Sequence, residues 1–105
     1  MNVWALDKDN TIKHLLLMLT HEVGEHHFYL IEAESLHPKS VRIGSSHSEG
    51  SAYIYTYAQS EERYGLHLEY PFHTQLNLSD QEEMYEELDY KALLEMLKVH
   101  FHWLF

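Results

Sequence analysis

Four short runs of aromatic and aliphatic residues, separated by polar turns, occupy the middle of this chain. They cover residues 26–33, 40–44, 51–58 and 63–70. Residues of these types favour β-strands because their side chains pack well on a pleated surface. The spacers between the runs are short, so consecutive strands are predicted to pair antiparallel. Pro71 ends the last run, since proline has no N–H to donate to a strand ladder. The sequence therefore predicts an antiparallel four-stranded sheet.

A helix is predicted before the sheet, at residues 11–23. Its apolar residues recur with the 3.6-residue period of a helix and form one stripe: Ile12, Leu15, Leu16, Leu19 and Val23. Asp9 or Asn10 can cap this helix, because a side-chain oxygen accepts N–H groups that the first turn leaves unpaired. Gly24 follows the segment, at a position where helices commonly end in a left-handed conformation.

A second helix is predicted at the end of the chain, beginning near residue 79. Ser79 and Glu82 have the spacing of a capping box. The helix dipole favours negative charge in the first turns, where four glutamates lie: Glu82, Glu83, Glu86 and Glu87. The predicted order is α-β-β-β-β-α, with the sheet flanked by an N-terminal and a C-terminal helix. A chain of 105 residues supports one core, so residues 1–105 are predicted to form a single α+β domain with both helices on one sheet face.

Charge and composition narrow the classes of function. The chain has 7 Lys and Arg against 17 Asp and Glu, for a formal net charge of −10. This charge repels nucleic acids and anionic membranes and favours a basic protein partner. Cysteine is absent, which excludes disulfides, thiolate metal sites and a cysteine nucleophile. The apolar run at residues 15–19 is too short to span a bilayer and lacks the features of a signal peptide, so a cytoplasmic location is expected.

The stretch HEVGEHH, at residues 21–27, raises the question of a metal site. It resembles the zincin motif H-E-x-x-H, but Glu25 stands where the second histidine is required. Gly24 also ends the helix that would present both ligands. We therefore predict no metal site, no cofactor and no enzymatic activity. The enzyme alternative is a metal-dependent activity that draws its ligands from separate elements: His14, His21, His67 and Glu69.

Three tyrosines alternate along the third predicted strand. Tyr53, Tyr55 and Tyr57 share one face of that strand, while small or aliphatic residues such as Ala52 and Ile54 share the other. If the helices cover the small-residue face, the tyrosines are exposed and suited to recognition. If the helices cover the tyrosines, the row belongs to the core. Both arrangements are consistent with the sequence.

The last predicted helix has two apolar stripes. One contains Tyr85, Leu88, Ala92, Met96, Val99 and Trp103, and the other contains Tyr90, Leu94, Leu97, Phe101 and Leu104. A helix that is apolar on two sides is buried on two sides. The second stripe is therefore predicted to form an interface with a second copy or with a partner, and a homodimeric scaffold is one alternative function.

These features together favour a small acidic binding protein over an enzyme. Its size and charge are those of an immunity-type protein that occludes a basic nuclease toxin, or of an acidic chaperone for a secreted effector. Aromatic and acidic side chains near the third and fourth predicted strands are the candidate contacts with the basic partner: Tyr53, Tyr55, Tyr57, Glu61, Glu62 and Glu69.

Overall fold

The chain folds into an antiparallel sheet with two helices packed on one of its faces. The computed structural model describes residues 2–31, 37–70 and 82–103. After a 3₁₀ turn at Val3–Ala5, the elements are α1 (Asn10–Val23), β1 (Phe28–Leu30), β2 (Ser40–Ser45), β3 (Ser48–Tyr55), β4 (Tyr64–Glu69), β5 (Glu82–Leu88) and α2 (Tyr90–Phe101). The strands lie side by side in chain order, each antiparallel to the next. The predicted α+β class and antiparallel sheet are confirmed, but the sheet has five strands and not four.

The additional strand, β5, lies where the sequence predicts the first turns of the last helix. Tyr85 is the cross-strand partner of Leu66, and Leu88 is that of Tyr64, so a three-residue step on β5 matches a two-residue step on β4. A β-bulge accommodates the extra residue, with Glu87 at a φ of 57°. The bulge turns Tyr85 and Leu88 to the same face, which gives the strand an apolar spacing that is typical of a helix.

The second helix consequently begins later than predicted and has a different cap. Asp89 precedes α2, and its Oδ1 accepts the backbone N–H of Ala92 at 2.8 Å. The predicted capping residue, Ser79, lies outside the described residues. The predicted extent and N-cap of the first helix are confirmed, because Asp9 accepts the N–H of Thr11 at 3.0 Å and α1 ends before Gly24. Gly24 has a positive φ of 86°, but its ψ of 140° is not that of the left-handed helical conformation predicted there.

One hydrophobic core joins both helices to the sheet. The apolar stripe of α1 is fully or almost fully buried. On the sheet, the face with Ala52 and Ile54 contributes to this core, and its cross-strand neighbours include Val41, Ile43 and Leu66. The small-residue face of β3 therefore lies under the helices. Within the described ranges, no helix combines the length and the apolar character needed to cross a membrane.

The second stripe of α2 faces this core, so it is not an exposed surface to which a partner could bind. Leu94, Leu97 and Phe101 are buried within the protein itself, and Tyr90 is half-buried against the core. The predicted oligomer interface through these residues is thus corrected, because the helix packs this broad face on the sheet of its own chain. Leu104 lies outside the described residues. The large hydrophobic residue of α2 that is exposed to solvent is instead Val99, at 75%.

Candidate functional site

The sheet face opposite the helices carries the tyrosines. Because side chains alternate along a strand, Tyr53 and Tyr55 point away from the core that Ala52 and Ile54 enter. Cross-strand neighbours share a face, so this surface, which we call the open face, consists of Arg42, Ser51, Tyr53, Tyr55, His67, Glu69 and Met84. Neither described helix packs on the open face.

The tyrosines form a layer in which the rings partly cover one another. The ring centroids of Tyr55 and Tyr57 are 4.6 Å apart and the rings are nearly parallel, while the centroids of Tyr53 and Tyr55 are 5.6 Å apart. The hydroxyls of Tyr53 and Tyr57 are hydrogen-bonded at 3.0 Å. Tyr57 joins this layer although it lies in the turn after β3. As a result Tyr55 is only 6% exposed, whereas Tyr53 and Tyr57 are half-buried.

Two histidines border the tyrosine layer. His67 meets the rings of Tyr53 and Tyr55 edge-on, with centroid distances of 5.8 and 5.9 Å. The ring of His37 lies 4.9 Å from that of Tyr57. Aromatic rings that contact one another edge-on or with an offset are fixed in place, so the open face presents a preformed surface.

The hydroxyls of Tyr55 and Tyr57 remain protonated at neutral pH. Burial raises the pKa of Tyr57 to about 12, and the hydrogen bond with Tyr53 and the charge of Glu86 act in the same direction. Burial also raises the pKa of Tyr55, with smaller contributions from Glu86 and Tyr53. Tyr55 and Tyr57 therefore contribute uncharged aromatic rings with hydroxyl groups that both donate and accept hydrogen bonds.

Glu69 lies on the open face but is held in an internal ion pair. Arg42 binds both of its carboxylate oxygens, with Nε–Oε1 at 2.8 Å and Nη2–Oε2 at 3.2 Å. Ser51 Oγ donates a further hydrogen bond to Oε1 at 2.7 Å. The guanidinium also lies over the ring of Tyr53, 5.1 Å from its centroid. The carboxylate of Glu69 therefore adds little uncompensated negative charge to the surface.

Glu61 and Glu62 occupy the turn between β3 and β4 and are exposed. They line a cleft of about 640 Å³ against α1, on the helix side of the sheet, whose wall also includes Met18 and Thr56. The structure thus places these two carboxylates beside the tyrosine end of the sheet and not on the open face itself.

Glu86 is the carboxylate that the fold brings to the tyrosines, and the sequence prediction missed it. Gln59 of the β3–β4 turn donates from Nε2 to Glu86 Oε2 at 3.1 Å. The N–H and the hydroxyl of Ser60 donate to Glu87 at 2.8 and 2.6 Å. The prediction placed both glutamates at the start of a helix, and only the pairing of β5 with β4 carries them to this turn.

The residues of the metal-enzyme alternative lie in different places. His67 lies among the tyrosines, Glu69 is paired with Arg42, and His14 lines the cleft beside α1. Across residues 2–31, 37–70 and 82–103, no group of three or more His, Asp or Glu side chains is arranged to hold a metal ion.

A close pair of histidines does occur elsewhere in the fold. His27 Nδ1 and His47 Nε2 are 2.6 Å apart, where the start of β1 meets the turn between β2 and β3. The two rings stack with a centroid distance of 4.9 Å. This pair joins two elements of the sheet and is remote in sequence from the tyrosine layer.

Comparison with known proteins does not assign the chain to a group. No family model matches it, and no curated protein and no solved structure matches it either. The interpretation of the open face therefore rests on its geometry and charge.

Proposed function

We propose that this protein is a small acidic binding module that occludes a basic partner, such as a nuclease toxin, in the manner of an immunity protein. The observation that carries the proposal is the preformed tyrosine layer on a sheet face that neither described helix covers. Tyrosine is favoured in recognition surfaces because it provides a large apolar area together with a polar tip. In a chain with a net charge of −10, such a surface suits a positively charged protein.

The mechanism that we propose is occlusion guided by charge. The acidic surface attracts the basic partner and accelerates the encounter. In the complex, carboxylates such as Glu61, Glu62 and Glu86 pair with the Lys and Arg side chains that otherwise hold a phosphate group. Tyr53 and Tyr57 then pack on the partner, and their hydroxyls fix its orientation. We place this inhibition in the cytoplasm, where the nucleic acid substrate of such a toxin is present.

The test begins with isolation of the partner and continues with purified components. The tagged chain is expressed in the organism that encodes it, a cross-linked partner is identified, and both proteins are purified and mixed. Association and dissociation rates are then measured over a series of salt concentrations. Because exposed charges are screened over about 8 Å at physiological salt, we expect rising ionic strength mainly to slow association.

Charge variants sharpen this experiment. We expect the double change Glu61→Lys and Glu62→Lys to slow association by roughly tenfold at low salt. The control for charge alone is Glu22→Lys, which reverses one charge at an exposed position of α1 and is compared with the single change Glu61→Lys. An acidic partner surface, salt-independent rates, or a partner whose activity persists in the complex would refute the proposed function.

A further inference from the structure

Within the described part of the chain, the outer edge of β5 presents backbone groups that pair with no other strand. The N–H of Ile31 donates to the carbonyl of Arg42 at 2.8 Å, which shows that the peptide groups of Arg42 point to β1. Peptide groups in antiparallel strands point alternately to either side, and directly paired residues point towards each other. We apply this alternation to each pair of strands in turn, from β2 to β5. The peptide groups of Glu83 and Tyr85 then point towards β4, and those of Met84 point outward. Among the described residues, no segment pairs with this edge.

The charge on β5 determines which kind of strand can pair there. This strand contains four glutamates: Glu82, Glu83, Glu86 and Glu87. A second copy of the chain that paired through the same edge would bring glutamates opposite one another, and like charges in that position are destabilising. A basic segment would instead meet opposite charges. Met84 adds an apolar contact, because its side chain is 65% exposed at the centre of the edge.

A groove lies beside this edge on the helix side of the sheet. Its volume is about 340 Å³, and it runs between β5, the end of β4 and α2. Tyr85, Met96 and Val99 form part of its apolar wall, while Glu83 and Glu95 contribute carboxylates. Glu83 accepts hydrogen bonds from the hydroxyls of Tyr70 and Tyr85, so these two hydroxyl protons are not available to a ligand in the groove.

His100 also lines this groove, and one of its ring nitrogens is buried without a hydrogen-bond partner among the described residues. The ring is only 8% exposed, and its Nε2 donates to the carbonyl of Ser51 at 2.8 Å. Burial lowers the pKa of His100, so the ring is neutral at pH 7 and Nδ1 carries a lone pair. Nδ1 is buried, and no donor in the described part of the chain reaches it. A groove with apolar walls and two carboxylates is suited to the long stem and charged end of a lysine or arginine.

We infer that an extended basic segment of a partner protein adds to the sheet as a further strand beside β5, with one Lys or Arg side chain in the groove lined by Glu83, Glu95 and His100. The main chain of this segment pairs with the outward N–H and C=O of Met84. Its side chains alternate between the groove and the open face, where they lie next to Met84. Main-chain pairing supplies affinity and the groove supplies selectivity, as in other cases of strand addition. The inference deepens the proposed function and rests on its premise that the partner is basic.

The probe for the test is a blocked octapeptide in which lysine alternates with threonine. It is titrated into the isotopically labelled protein, and amide chemical shifts and hydrogen exchange are followed by NMR. We expect shifts along β5 and at His100, together with slower exchange of the Met84 N–H. Two peptides of the same length serve as controls. One replaces lysine with glutamate, and the other retains the lysines but has N-methyl groups on alternate amides, which removes the donors that pair with an edge.

Variants of the protein separate backbone pairing from side-chain contact. Met84→Pro removes the outward N–H, and proline is tolerated on an edge strand at a position that does not pair with the neighbouring strand. We expect this change to weaken binding of the lysine peptide about tenfold or more, because the pairing at the centre of the edge is lost. Met84→Ala keeps the N–H and should change affinity by only about threefold. Glu95→Gln should weaken binding of the lysine peptide, because it removes one negative charge while the shape of the groove stays the same.

Several outcomes would overturn the inference. Equal binding of the N-methylated peptide, unchanged affinity of the Met84→Pro variant, shifts confined to the tyrosine layer, or no binding of the lysine peptide would each do so. If Met84→Pro does not fold, the N-methylated peptide and the wild-type protein decide the question alone. The proposed function fails separately, because it depends on the salt dependence of binding to the purified partner and not on where this peptide binds.

Discussion

A glycine under the tyrosine layer provides the sharpest test of how the open face is built. Gly65 is the cross-strand partner of Tyr55, and the tyrosine ring lies directly over it. A Cβ atom at position 65 would be 2.0 Å from Tyr55 Cζ and 2.2 Å from Cε2. These are atoms of a packed ring, so the ring itself must move. Gly65 does not have a positive φ, so the backbone accepts alanine without strain. The change Gly65→Ala therefore isolates the packing of one aromatic ring.

The expected magnitude follows from the area that the ring buries. A tyrosine buries about 200 Å², and displacement of the ring to the side of the layer re-exposes about half of that. At about 25 cal/mol per Å², this costs about 2.5 kcal/mol. Alanine gains roughly 0.5–1 kcal/mol over glycine in a compatible strand position, because it restricts the unfolded chain. We therefore expect Gly65→Ala to reduce the free energy of unfolding by about 1.5–2 kcal/mol.

The effect of Gly65→Ala on the free energy of unfolding should change sign when the ring of Tyr55 is absent. In a Tyr55→Ala background, the Cβ at position 65 meets no ring, and Gly65→Ala should stabilise the protein by roughly 0.5–1 kcal/mol. The coupling between the two changes is then about 2.5 kcal/mol, well above the scatter of a double-mutant cycle. Urea unfolding of the four proteins, followed by circular dichroism, measures it.

A second cross-strand glycine is the matched control. A Cβ at Gly44 would be 2.6 Å from the ring of Tyr29, but that tyrosine is 53% exposed and can move into solvent. We expect Gly44→Ala to change the free energy of unfolding by less than about 1 kcal/mol. Additive effects of Gly65→Ala and Tyr55→Ala, or a stabilising Gly65→Ala in the wild-type background, would show that Tyr55 does not pack as described.

Three further predictions follow from the described contacts. Burial lowers the pKa of His100 below the 6.5 of an ordinary histidine, so protons bind preferentially to the unfolded chain and stability decreases as the pH falls below about 6.5; we expect His100→Gln to reduce this decrease in urea unfolding between pH 7 and 5. The pKa of Tyr57 is raised from 10.0 to about 12, so the folded state favours the protonated hydroxyl, and the stability that this provides is present below pH 10 and is lost as the pH rises towards 12. Tyr57→Phe should therefore lose less of its free energy of unfolding than the wild type between pH 10 and 12. Asp89→Ala removes the cap of α2 and should destabilise the protein by about 1 kcal/mol, whereas Asp89→Asn, which retains a capping oxygen, should be close to neutral.

The parts of the fold that the sequence predicts correctly depend on local signals. The stripe, the cap and the terminal glycine of α1 all lie within the segment that they describe. The central strands likewise carry their own alternation of side chains. The predictions are wrong where distant residues decide the structure. The stretch that forms β5 is rich in glutamate, a good helix former, and pairing with β4 overrides that preference. Its bulge at Glu87 adds an apolar spacing that resembles a helix.

The alternation of side chains also does not predict which face of the sheet the helices cover. Both faces of β3 are apolar enough to be buried, so alternation alone does not distinguish them. A signal was nevertheless present in the sequence. Gly44 and Gly65 lie in strands, and each provides space for the ring of a tyrosine on its neighbour. Large rings opposite glycines account for a tyrosine layer that packs on its own sheet without a covering helix.

The candidate site shows the same division between local and distant determinants. The alternation of Tyr53 and Tyr55 correctly indicates a shared face. The ion pair of Arg42 with Glu69 and the approach of Glu86 to the tyrosines depend on strand register, which no local pattern specifies. The position of His100 depends on the packing of α2 against Ser51, a residue far from it in sequence.

The tyrosine layer combines a structural residue with binding residues, and this changes how the binding surface is tested. Tyr55 is almost fully covered by its neighbours, so Tyr55→Ala disturbs the sheet as well as any complex. Tyr53 and Tyr57 have more exposed surface, and their hydroxyls contact each other at 3.0 Å. The change Tyr57→Phe removes one hydroxyl and leaves the stacked ring in place. If the layer binds a partner through its hydroxyl groups, this variant should dissociate faster from the partner while its stability at pH 7 stays near that of the wild type. An unchanged dissociation rate would leave the apolar ring surface as the contact, and Tyr53→Ala would then have the larger effect.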